Sequence, residues 1–367
     1  MTPTRVLVVD DSAFMRRTLR MILESDPELQ VIDVARNGEE AVEKARALKP
    51  DVITLDLNMP VMDGLTALTY IMLERPTPVV VISSLTHEGA LATFEALELG
   101  AVDFVSKSGT MSLDAEQLAE EIVYKVHSAV RAQMRRGRRE RYQAQRGGRA
   151  QPRRAEVQSA RRSTLPAAAV SSDLVVAIGV STGGPSTLMD IVPALPADLP
   201  AAVIVVQHMP PKFTFSFAQH LNEASALPVK EAEANEPVQA GQVYVAPGGY
   251  HMSLALNARG TDKILRLSQR ADQELLFCPS VDVMFDSVAR LYGAKAVGVL
   301  LTGMGADGAD GMVKIRQAGG FTIAESEETA VVFGMPREAI ERGGADLVAP
   351  SHEIASHIRA VIRRLHR

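Results

Sequence analysis

Two parts of the chain alternate short apolar runs with longer segments in which apolar residues recur every three or four positions. In the first part the apolar runs are residues 6–9, 31–34, 52–55, 79–82 and 102–105. Short apolar runs are typical of buried strands, and the three-to-four spacing is typical of amphipathic helices. Five such units in succession predict an α/β, doubly wound domain in which helices cover both faces of a five-stranded parallel sheet.

The same alternation returns in the second part. Its apolar runs are residues 174–178, 202–206, 243–246, 296–301 and 321–324. They predict a second doubly wound domain, with a mostly parallel αβα sheet. Leu254 and Leu256 alternate with polar residues, so residues 251–267 predict an antiparallel excursion from that sheet.

Between the two patterns lies a segment rich in arginine, alanine, glutamine and glycine. Residues 131–162 contain scarcely any large apolar side chain, so they cannot build a core. They predict a solvated, flexible linker at 126–172 between a first domain at 1–125 and a second at 173–367. A binding patch for an anionic partner is the alternative that this segment leaves open.

Composition narrows the class of protein. The 367 residues carry a formal net charge of -5, so the protein as a whole is not suited to coating nucleic acid or an acidic membrane. The single cysteine, Cys278, excludes an intramolecular disulfide and predicts a small buried side chain in a reducing compartment. The chain begins with a strand pattern and contains no apolar run of about 18 residues, so we expect a cytoplasmic protein.

Polar residues follow the predicted strands of the first domain. They are Asp10 and Asp11, then Asp56, Ser83 and Lys107. The carboxyl ends of parallel strands share one edge of the sheet, so these side chains should meet there. Clustered carboxylates favour a hard divalent cation such as Mg²⁺, and Asp56 could attack phosphorus to form an acyl phosphate. Lys107 and Ser83 would then stabilise its new charge.

In these positions residues 4–125 resemble the receiver domain of two-component response regulators. The resemblance implies a flavodoxin-like sheet, a histidine kinase as phosphodonor and Asp56 as phosphoacceptor. It also implies Mg²⁺ bound by Asp11, Asp56 and the backbone of Asn58. Ser108 stands where receivers usually have proline after the lysine, which leaves the geometry of the Lys107 loop open.

Ser181 follows the first strand of the second domain, in a G-x-S-x-G pattern at residues 179–183. His208 follows the next strand and could act as its base, and Asp307 follows a third and could orient the imidazole. Oxyanion donors would be backbone amides near Thr182 and Gly183 or near Met304. Asp286 and Asp310 compete with Asp307 as the acid, and His251 is a further candidate for lining the site.

A competing motif overlaps this site. Residues 303–308 also match G-x-G-x-x-G between a strand and a helix, and Glu325 follows at the next strand end. This combination is typical of dinucleotide-binding folds, although Asp307 would then put a carboxylate beside the pyrophosphate. A nucleic-acid-binding output domain is the other alternative, although no helix-turn-helix pattern supports it.

The second domain also carries longer motifs. They are STGGP at residues 181–185, QHMPP at 207–211, LTGMGADG at 301–308 and VFGMPREA at 332–339. With them, both domains resemble the chemotaxis protein-glutamate methylesterases. The resemblance implies a triad of Ser181, His208 and Asp307, without a cofactor, that hydrolyses glutamate γ-methyl esters on chemoreceptors and can also deamidate receptor glutamines.

The two domains together predict how the activity is regulated. We expect a monomer in which the receiver covers the esterase site until Asp56 is phosphorylated. A flexible linker suits such a switch, because it keeps the two domains at high effective concentration while it lets them separate.

Overall fold

The computed structural model describes residues 2–83, 86–107, 118–131, 172–269 and 277–366. The chain divides into two compact units, Met1–Met134 and Arg135–Arg367. Residues 132–171, which make up most of the predicted linker, lie outside the described residues, and so does Ser108. None of the helices in the described ranges combines the length and the apolarity that crossing a bilayer demands.

The N-terminal unit is a five-stranded parallel sheet with helices between the strands. Its strands are β1 (Thr4–Val9), β2 (Leu29–Ala35), β3 (Val52–Asp56), β4 (Val79–Ser83) and β5 (Asp103–Ser106). Its helices are α1 (Ala13–Glu24), α2 (Gly38–Leu48), α3 (Gly64–Glu74), α4 (His87–Glu98) and α5 (118–131). The strand order β2-β1-β3-β4-β5 confirms the predicted flavodoxin-like sheet.

Local chemistry explains where these elements begin. Both β3 and β4 are buried along their whole length, as their continuous apolar runs predict. The first four helices each start after a side chain that accepts a hydrogen bond from a backbone amide of the first turn; these residues are Ser12, Asn37, Asp63 and Thr86. The chain reverses its direction of winding between β1 and β3, so the ends of these two strands flank a crevice.

Helix α5 extends the N-terminal core past the predicted domain boundary at residue 125. Val126 and Ala129 on this helix are fully buried against the sheet. Lys125 lies between Asp103 on β5, at 3.5 Å, and Glu121 on its own helix, at 2.8 Å. The packed core therefore continues at least to Ala129, because the apolar positions of α5 still face the core there.

The C-terminal unit contains a seven-stranded sheet and a separate hairpin. Its strands are β6 (Val175–Val180), β7 (Ala202–Gln207), β8 (Val229–Glu231), β9 (Val243–Val245), β10 (Tyr250–Leu256), β11 (Lys263–Gln269), β12 (Ala296–Leu300), β13 (Phe321–Glu325) and β14 (Leu347–Ala349). Its helices are α6 (Gly184–Ile191), α7 (Phe213–Ala224), α8 (Val281–Tyr292), α9 (Ala309–Gln317), α10 (Met335–Glu341) and α11 (Ser351–Leu365).

The large sheet has the order β14-β13-β12-β6-β7-β9-β8, and every neighbouring pair is parallel. This confirms the prediction of a mostly parallel sheet, and the predicted excursion forms the antiparallel hairpin β10–β11. The pattern did not predict β8 and β14, which are short, partly exposed strands at the two edges of the sheet. Strand β9 is equally short, but it is fully buried and its apolar run was predicted. Strand order reverses between β6 and β12, so the loops after β6, β7 and β12 meet at one edge.

Candidate functional site

In the N-terminal unit, a lysine lies between two buried carboxylates at the crevice between β1 and β3. Asp10 is 0% exposed and Asp56 is 3% exposed. Lys107 Nζ lies 2.7 Å from Asp56 Oδ2 and 3.0 Å from Asp10 Oδ2. The structure thus brings together three of the residues that the strand ends predict.

The charges of this cluster do not balance. Burial raises the pKa of Asp56; the hydrogen bond from Lys107 lowers it, but the nearby Asp10 carboxylate adds to the increase. Burial lowers the pKa of Lys107, but its bonds to Asp56 and Asp10 outweigh burial and raise the pKa. Two carboxylates therefore share one ammonium group, and a further cation would stabilise them.

The residues fit a divalent metal ion. Asp10, Asp11 and Asp56 each offer a carboxylate oxygen, and these oxygens all lie within 4.8 Å of one another. Such a set matches the oxygen ligands that Mg²⁺ takes in proteins. The strand ends predict that all three carboxylates share this pocket, and the resemblance to receivers names Asp11 and Asp56 as the ligands. Asn58 lies beside this cluster, with its backbone N–H 3.4 Å from Asp56 Oδ1.

Ser83 ends β4, the neighbour of β3, and is buried. Its hydroxyl donates to the carbonyl of Gly89 at 3.1 Å and accepts from the Thr93 hydroxyl at 2.7 Å. In this arrangement Ser83 is tied to α4, at the sheet edge that carries Asp56.

In the C-terminal unit, Ser181 is the first residue after β6 and is 8% exposed. Its backbone N–H donates to the carbonyl of Thr302 at 2.9 Å, and its carbonyl accepts from the amide of Gly184 at 2.8 Å. The main chain of Ser181 is therefore held on both sides, against the loop after β12 and against the start of α6.

His208 is the first residue after β7, the neighbour of β6. Its Nε2 lies 2.8 Å from Asp307 Oδ2, and its ring stacks on Phe277 with centroids 4.2 Å apart. Its other ring nitrogen, Nδ1, is buried and has no hydrogen-bond partner among the described residues. The carboxylate of Asp307 only accepts, so in the neutral imidazole Nε2 is the nitrogen that carries the proton and Nδ1 is the one with the lone pair.

Asp307 precedes α9 in the chain, and its carboxylate contacts the N-terminus of α8. Its Oδ1 accepts from the Ser280 hydroxyl at 2.9 Å and from the Asp282 amide at 3.0 Å, and its Oδ2 accepts from the Val281 amide at 2.7 Å. Burial raises the pKa of Asp307, but the hydrogen bond and charge of His208 and these amides outweigh burial and lower the pKa below its usual value. Asp307 is therefore ionised at neutral pH.

The competing acids lie elsewhere. Asp286 forms ion pairs with Arg290 and Lys314, and Asp310 pairs with Arg342. His251, the residue considered for lining the site, is buried in β10, where its Nδ1 accepts from the Ser280 amide at 3.2 Å. Of the three acids left open by the sequence, only Asp307 contacts His208 in the described structure.

The predicted oxyanion residues lie either directly after Ser181 in the chain or in the loop after β12, which approaches Ser181 at Gly303. Thr182 is buried, and Gly183 has a left-handed backbone, with φ of 76°, at the start of α6. A Cβ on Gly303 would lie 2.8 Å from Ser181 Cβ, so only glycine lets the loop after β12 approach the serine so closely. Met304 follows in this loop and is 39% exposed.

The structure contradicts the dinucleotide alternative. Glu325, which would bind a ribose hydroxyl in such a fold, is 0% exposed. Its carboxylate accepts from the amide of Thr302 and the hydroxyl of Thr329, both at 2.8 Å. The glycine motif at residues 303–308 instead lets the chain pass close to Ser181 and places the Asp307 carboxylate against the start of α8.

Four residues that contact the site were not assigned a role from the sequence: Gln207, Phe277, Ser280 and Thr302. Two of them had a local signal. Gln207 ends a buried strand beside His208, and Ser280 caps α8, where a serine before an apolar helix is expected. Nothing in the sequence points to Phe277, because its role is a contact with a ring 69 positions away.

The first unit has a flavodoxin-like sheet with a cluster of aspartates and a lysine. The second has a parallel αβα sheet with a serine beside a His–Asp pair. Together they define a response regulator with an enzymatic output domain. Residues 6–121 match the response regulator receiver domain, and residues 176–358 match the CheB methylesterase domain. The chain belongs to the CheB methylesterase family. This confirms the resemblance that the motifs indicate.

Whole-length relatives agree with this assignment. The chain is 55% identical, over 96% of its length and 94% of the relative's, to a protein-glutamate methylesterase/protein-glutamine glutaminase of Caldanaerobacter subterraneus subsp. tengcongensis. It is 52% identical to protein-glutamate methylesterase/protein-glutamine glutaminase 2 of Carboxydothermus hydrogenoformans, over 99% of this chain and 100% of the relative. Both domains of the family are thus present along the whole chain.

The chain is also similar to two crystal structures from Thermotoga maritima. The CheB methylesterase catalytic domain is 45% identical, with 52% of this chain and 98% of that chain covered and a TM-score of 0.49. The CheB response regulator domain is 52% identical, with 35% and 97% covered and a TM-score of 0.33.

Proposed function

We propose that this protein hydrolyses glutamate γ-methyl esters on chemoreceptors, deamidates receptor glutamines at the same site, and is activated by phosphorylation of Asp56. The observation that carries the proposal is the pair of His208 and Asp307 beside Ser181, in which Nε2 is bound and Nδ1 is left with a lone pair. The names of the relatives supply the class of ester and amide.

In the proposed reaction Ser181 Oγ attacks the ester carbonyl carbon while its proton passes to His208 Nδ1. The C–O bond to the methoxy group then breaks, and the imidazolium returns the proton to the leaving oxygen as methanol. Water attacks the acyl-enzyme by the same steps and releases glutamate. Asp307 stabilises the imidazolium, because its carboxylate is ionised and fixed by the start of α8.

The negative oxygen formed in each attack needs hydrogen-bond donors. We assign this role to backbone amides at the start of α6, near Thr182 and Gly183, and to the loop that contains Met304. The close approach of Gly303 to Ser181 supports the second part of this assignment. A glutamine amide passes through the same kind of intermediate, so one site serves both activities.

In the receiver, we propose that an Asp56 carboxylate oxygen attacks the phosphorus of a phosphohistidine, and the imidazole nitrogen leaves. Lys107, which is 2.7 Å from Asp56 Oδ2, would then neutralise part of the charge on the acyl phosphate. Asp10, Asp11 and Asp56, with the predicted backbone of Asn58, would hold Mg²⁺, which supplies positive charge to the phosphoryl oxygens when bound. Ser83 is assigned the remaining hydrogen bond to the phosphoryl group.

The proposal assigns residues 1–125, extended by α5, to the receiver, the following residues up to 172 to a tether, and residues 173–367 to the esterase. It takes the protein to be a cytoplasmic monomer whose partners are a histidine kinase and chemoreceptors. The tether allows the two units to separate after phosphorylation.

The test is methanol release from methylated chemoreceptors with the full-length chain, measured with and without a phosphodonor in Mg²⁺. We expect phosphorylation to raise the rate, and Asp56→Asn to keep the basal rate at every phosphodonor concentration. Ser181→Ala should lower the rate by about a thousandfold or more. Methanol release by Ser181→Ala at the wild-type rate would contradict the esterase site, and an unchanged rate on phosphorylation of the wild type would contradict the switch.

A further inference from the structure

Gln207 connects the two residues that the proposed reaction needs. It is the last residue of β7 and is 2% exposed. Its Nε2 donates one hydrogen bond to the carbonyl of Ser181 and one to the carbonyl of His208, both at 3.0 Å. One side-chain amide thus holds the main chains of the proposed nucleophile and the proposed base.

Packing alone does not account for a glutamine here. The other amide atom, Oε1, is buried and accepts no hydrogen bond from any described residue. Leaving a buried polar atom without a partner costs about 1–3 kcal/mol, a cost that an apolar side chain of similar length avoids. The contribution of Gln207 must therefore come from its Nε2 donors.

The start of α6 packs directly against the side-chain amide of Gln207. A Cβ on Gly184 would collide with Gln207 Oε1, so any larger residue at position 184 would displace this amide. Gly184 also donates its backbone N–H to the carbonyl of Ser181, which therefore accepts from both Gly184 and Gln207. The amide sits where the turn of Ser181 meets the end of β7.

The geometry of proton transfer depends on this junction. The amide of Ser181 is already fixed to Thr302 on the side of β12, and the His208 ring is fixed to Asp307. The His208 amide donates to the carbonyl of Val180 at 3.1 Å, and Gln207 binds the carbonyls of Ser181 and His208, so these bonds together set the distance between the backbones that carry the serine hydroxyl and the imidazole. Misplacing reacting groups by about 1 Å can cost about a hundredfold in rate.

We propose that Gln207 is a positioning residue of the esterase reaction, which keeps the Ser181 hydroxyl and the His208 imidazole within transfer distance by binding both backbone carbonyls. The inference rests on the proposed roles of Ser181 and His208. Because Gln207 is 2% exposed, we expect it to act on the chemical step and to leave substrate affinity unchanged.

The first test replaces the donor with an apolar side chain of similar length. In the full-length chain with phosphodonor, Gln207→Met should lower kcat for methanol release by about 10- to 100-fold and keep KM within about twofold. Labelling of Ser181 by a fluorophosphonate should slow by the same factor, because it reports the reactivity of the hydroxyl without the receptor. A wild-type kcat, or a loss confined to KM, would overturn the proposal.

A matched control is available in the same sheet. Gln242 Nε2 also donates to two backbone carbonyls, those of Pro228 at 2.9 Å and Val243 at 3.0 Å, beside β9. Gln242→Met removes the same bonding pattern away from Ser181, so its kcat and its labelling rate should stay at wild-type values. An equal loss in both variants would show a general effect on the sheet and contradict a specific role of Gln207.

A second variant tests the donor itself and serves if Gln207→Met does not fold. Glutamate at this position has one O–H donor when protonated and none when ionised. The ratio of the kcat of Gln207→Glu to that of the wild type should therefore rise as the pH falls. A ratio that stays constant with pH would mean that donation by residue 207 does not matter.

The proposed function and the positioning role can fail separately. If Ser181→Ala retains methanol release, the proposed function is wrong. If Ser181→Ala is inactive while Gln207→Met keeps the wild-type kcat, the proposed function stands and only the role of Gln207 is wrong.

Discussion

At the scale of single residues, Asp307 shows how the fold prepares one side chain for its chemistry. Its two oxygens accept four hydrogen bonds, from Ser280, Val281, Asp282 and His208. Two of these donors are amides at the start of α8, where the helix dipole also favours negative charge. The carboxylate is therefore kept ionised and in one orientation although it is largely buried.

This environment predicts the effect of Asp307→Asn. An asparagine NH₂ group would donate to His208 Nε2, which would move the imidazole proton to Nδ1 and remove the base. We expect kcat for methanol release to fall by about three to four powers of ten. Asp310→Asn is the control, because Asp310 is an exposed partner of Arg342, and it should keep the wild-type kcat. A small loss in Asp307→Asn would contradict the assigned tautomer.

At the scale of elements, Glu325 joins β13 to the loop after β12. Its carboxylate accepts from Thr302, whose carbonyl in turn accepts from the amide of Ser181. Burial raises the pKa of Glu325 to about 7, and the charge of Asp190 adds to the increase. The hydrogen bonds from Thr329 and Thr302 lower the pKa but do not outweigh burial. No described basic side chain is paired with it.

A raised carboxyl pKa means that the folded state prefers the neutral form. The stability that Glu325 contributes is fully present below its unfolded pKa, near 4.5, and is lost as the pH rises through about 7. We expect Glu325→Gln, which is neutral at every pH, to raise the free energy of unfolding by about 1–3 kcal/mol at pH 8.

Urea unfolding of wild type and Glu325→Gln at pH 4 and pH 8 measures this difference. The gain should be small at pH 4, because the wild-type carboxyl is mostly protonated in both states there. The exposed Glu341→Gln is the control and should show no such dependence. A difference that is equal at both pH values would mean that Glu325 stays ionised in the folded protein.

Helix α5 gives a second prediction at this scale. Val126 and Ala129 are completely buried, so a chain that ends at residue 125 loses part of the receiver core. Compared with residues 2–131, we expect residues 2–125 to be less stable by at least about 2 kcal/mol. The measurement is the urea midpoint of the two chains; equal midpoints would show that the last six residues of α5 add no stability.

At the scale of the whole molecule, the two candidate chemistries lie in separate compact units. The acidic cluster of Asp10, Asp11 and Asp56 belongs to the first unit, whereas Ser181, His208 and Asp307 belong to the second. A change confined to the first site should therefore alter regulation without altering the basal chemistry of the second.

Removal of Mg²⁺ tests this separation. We expect EDTA to lower the phosphorylation of Asp56, measured by intact mass, by about tenfold or more, because the carboxylates then lack their cation. Basal methanol release, measured in the same samples, should remain within about twofold. A parallel loss of basal release would indicate that the esterase site also depends on the metal.

Sequence alone determined the classes of element and the positions of most candidate residues. Period and run length reflect burial along one element, which is a local property, so the strands that precede Asp56, Ser181 and His208 were predictable. The exceptions, β8 and β14, are short edge strands with partly exposed side chains, so burial leaves little pattern in them.

Only the tertiary structure decided which side chains meet. His208 contacts Asp307 across 99 positions. The sequence favoured Asp307 over Asp286 and Asp310, because only Asp307 follows a strand, but it could not show that contact. Gln207 likewise donates to the carbonyls of both Ser181 and His208 only because β6 and β7 lie in parallel register. Such contacts come from strand order and packing, which no single segment of the chain encodes.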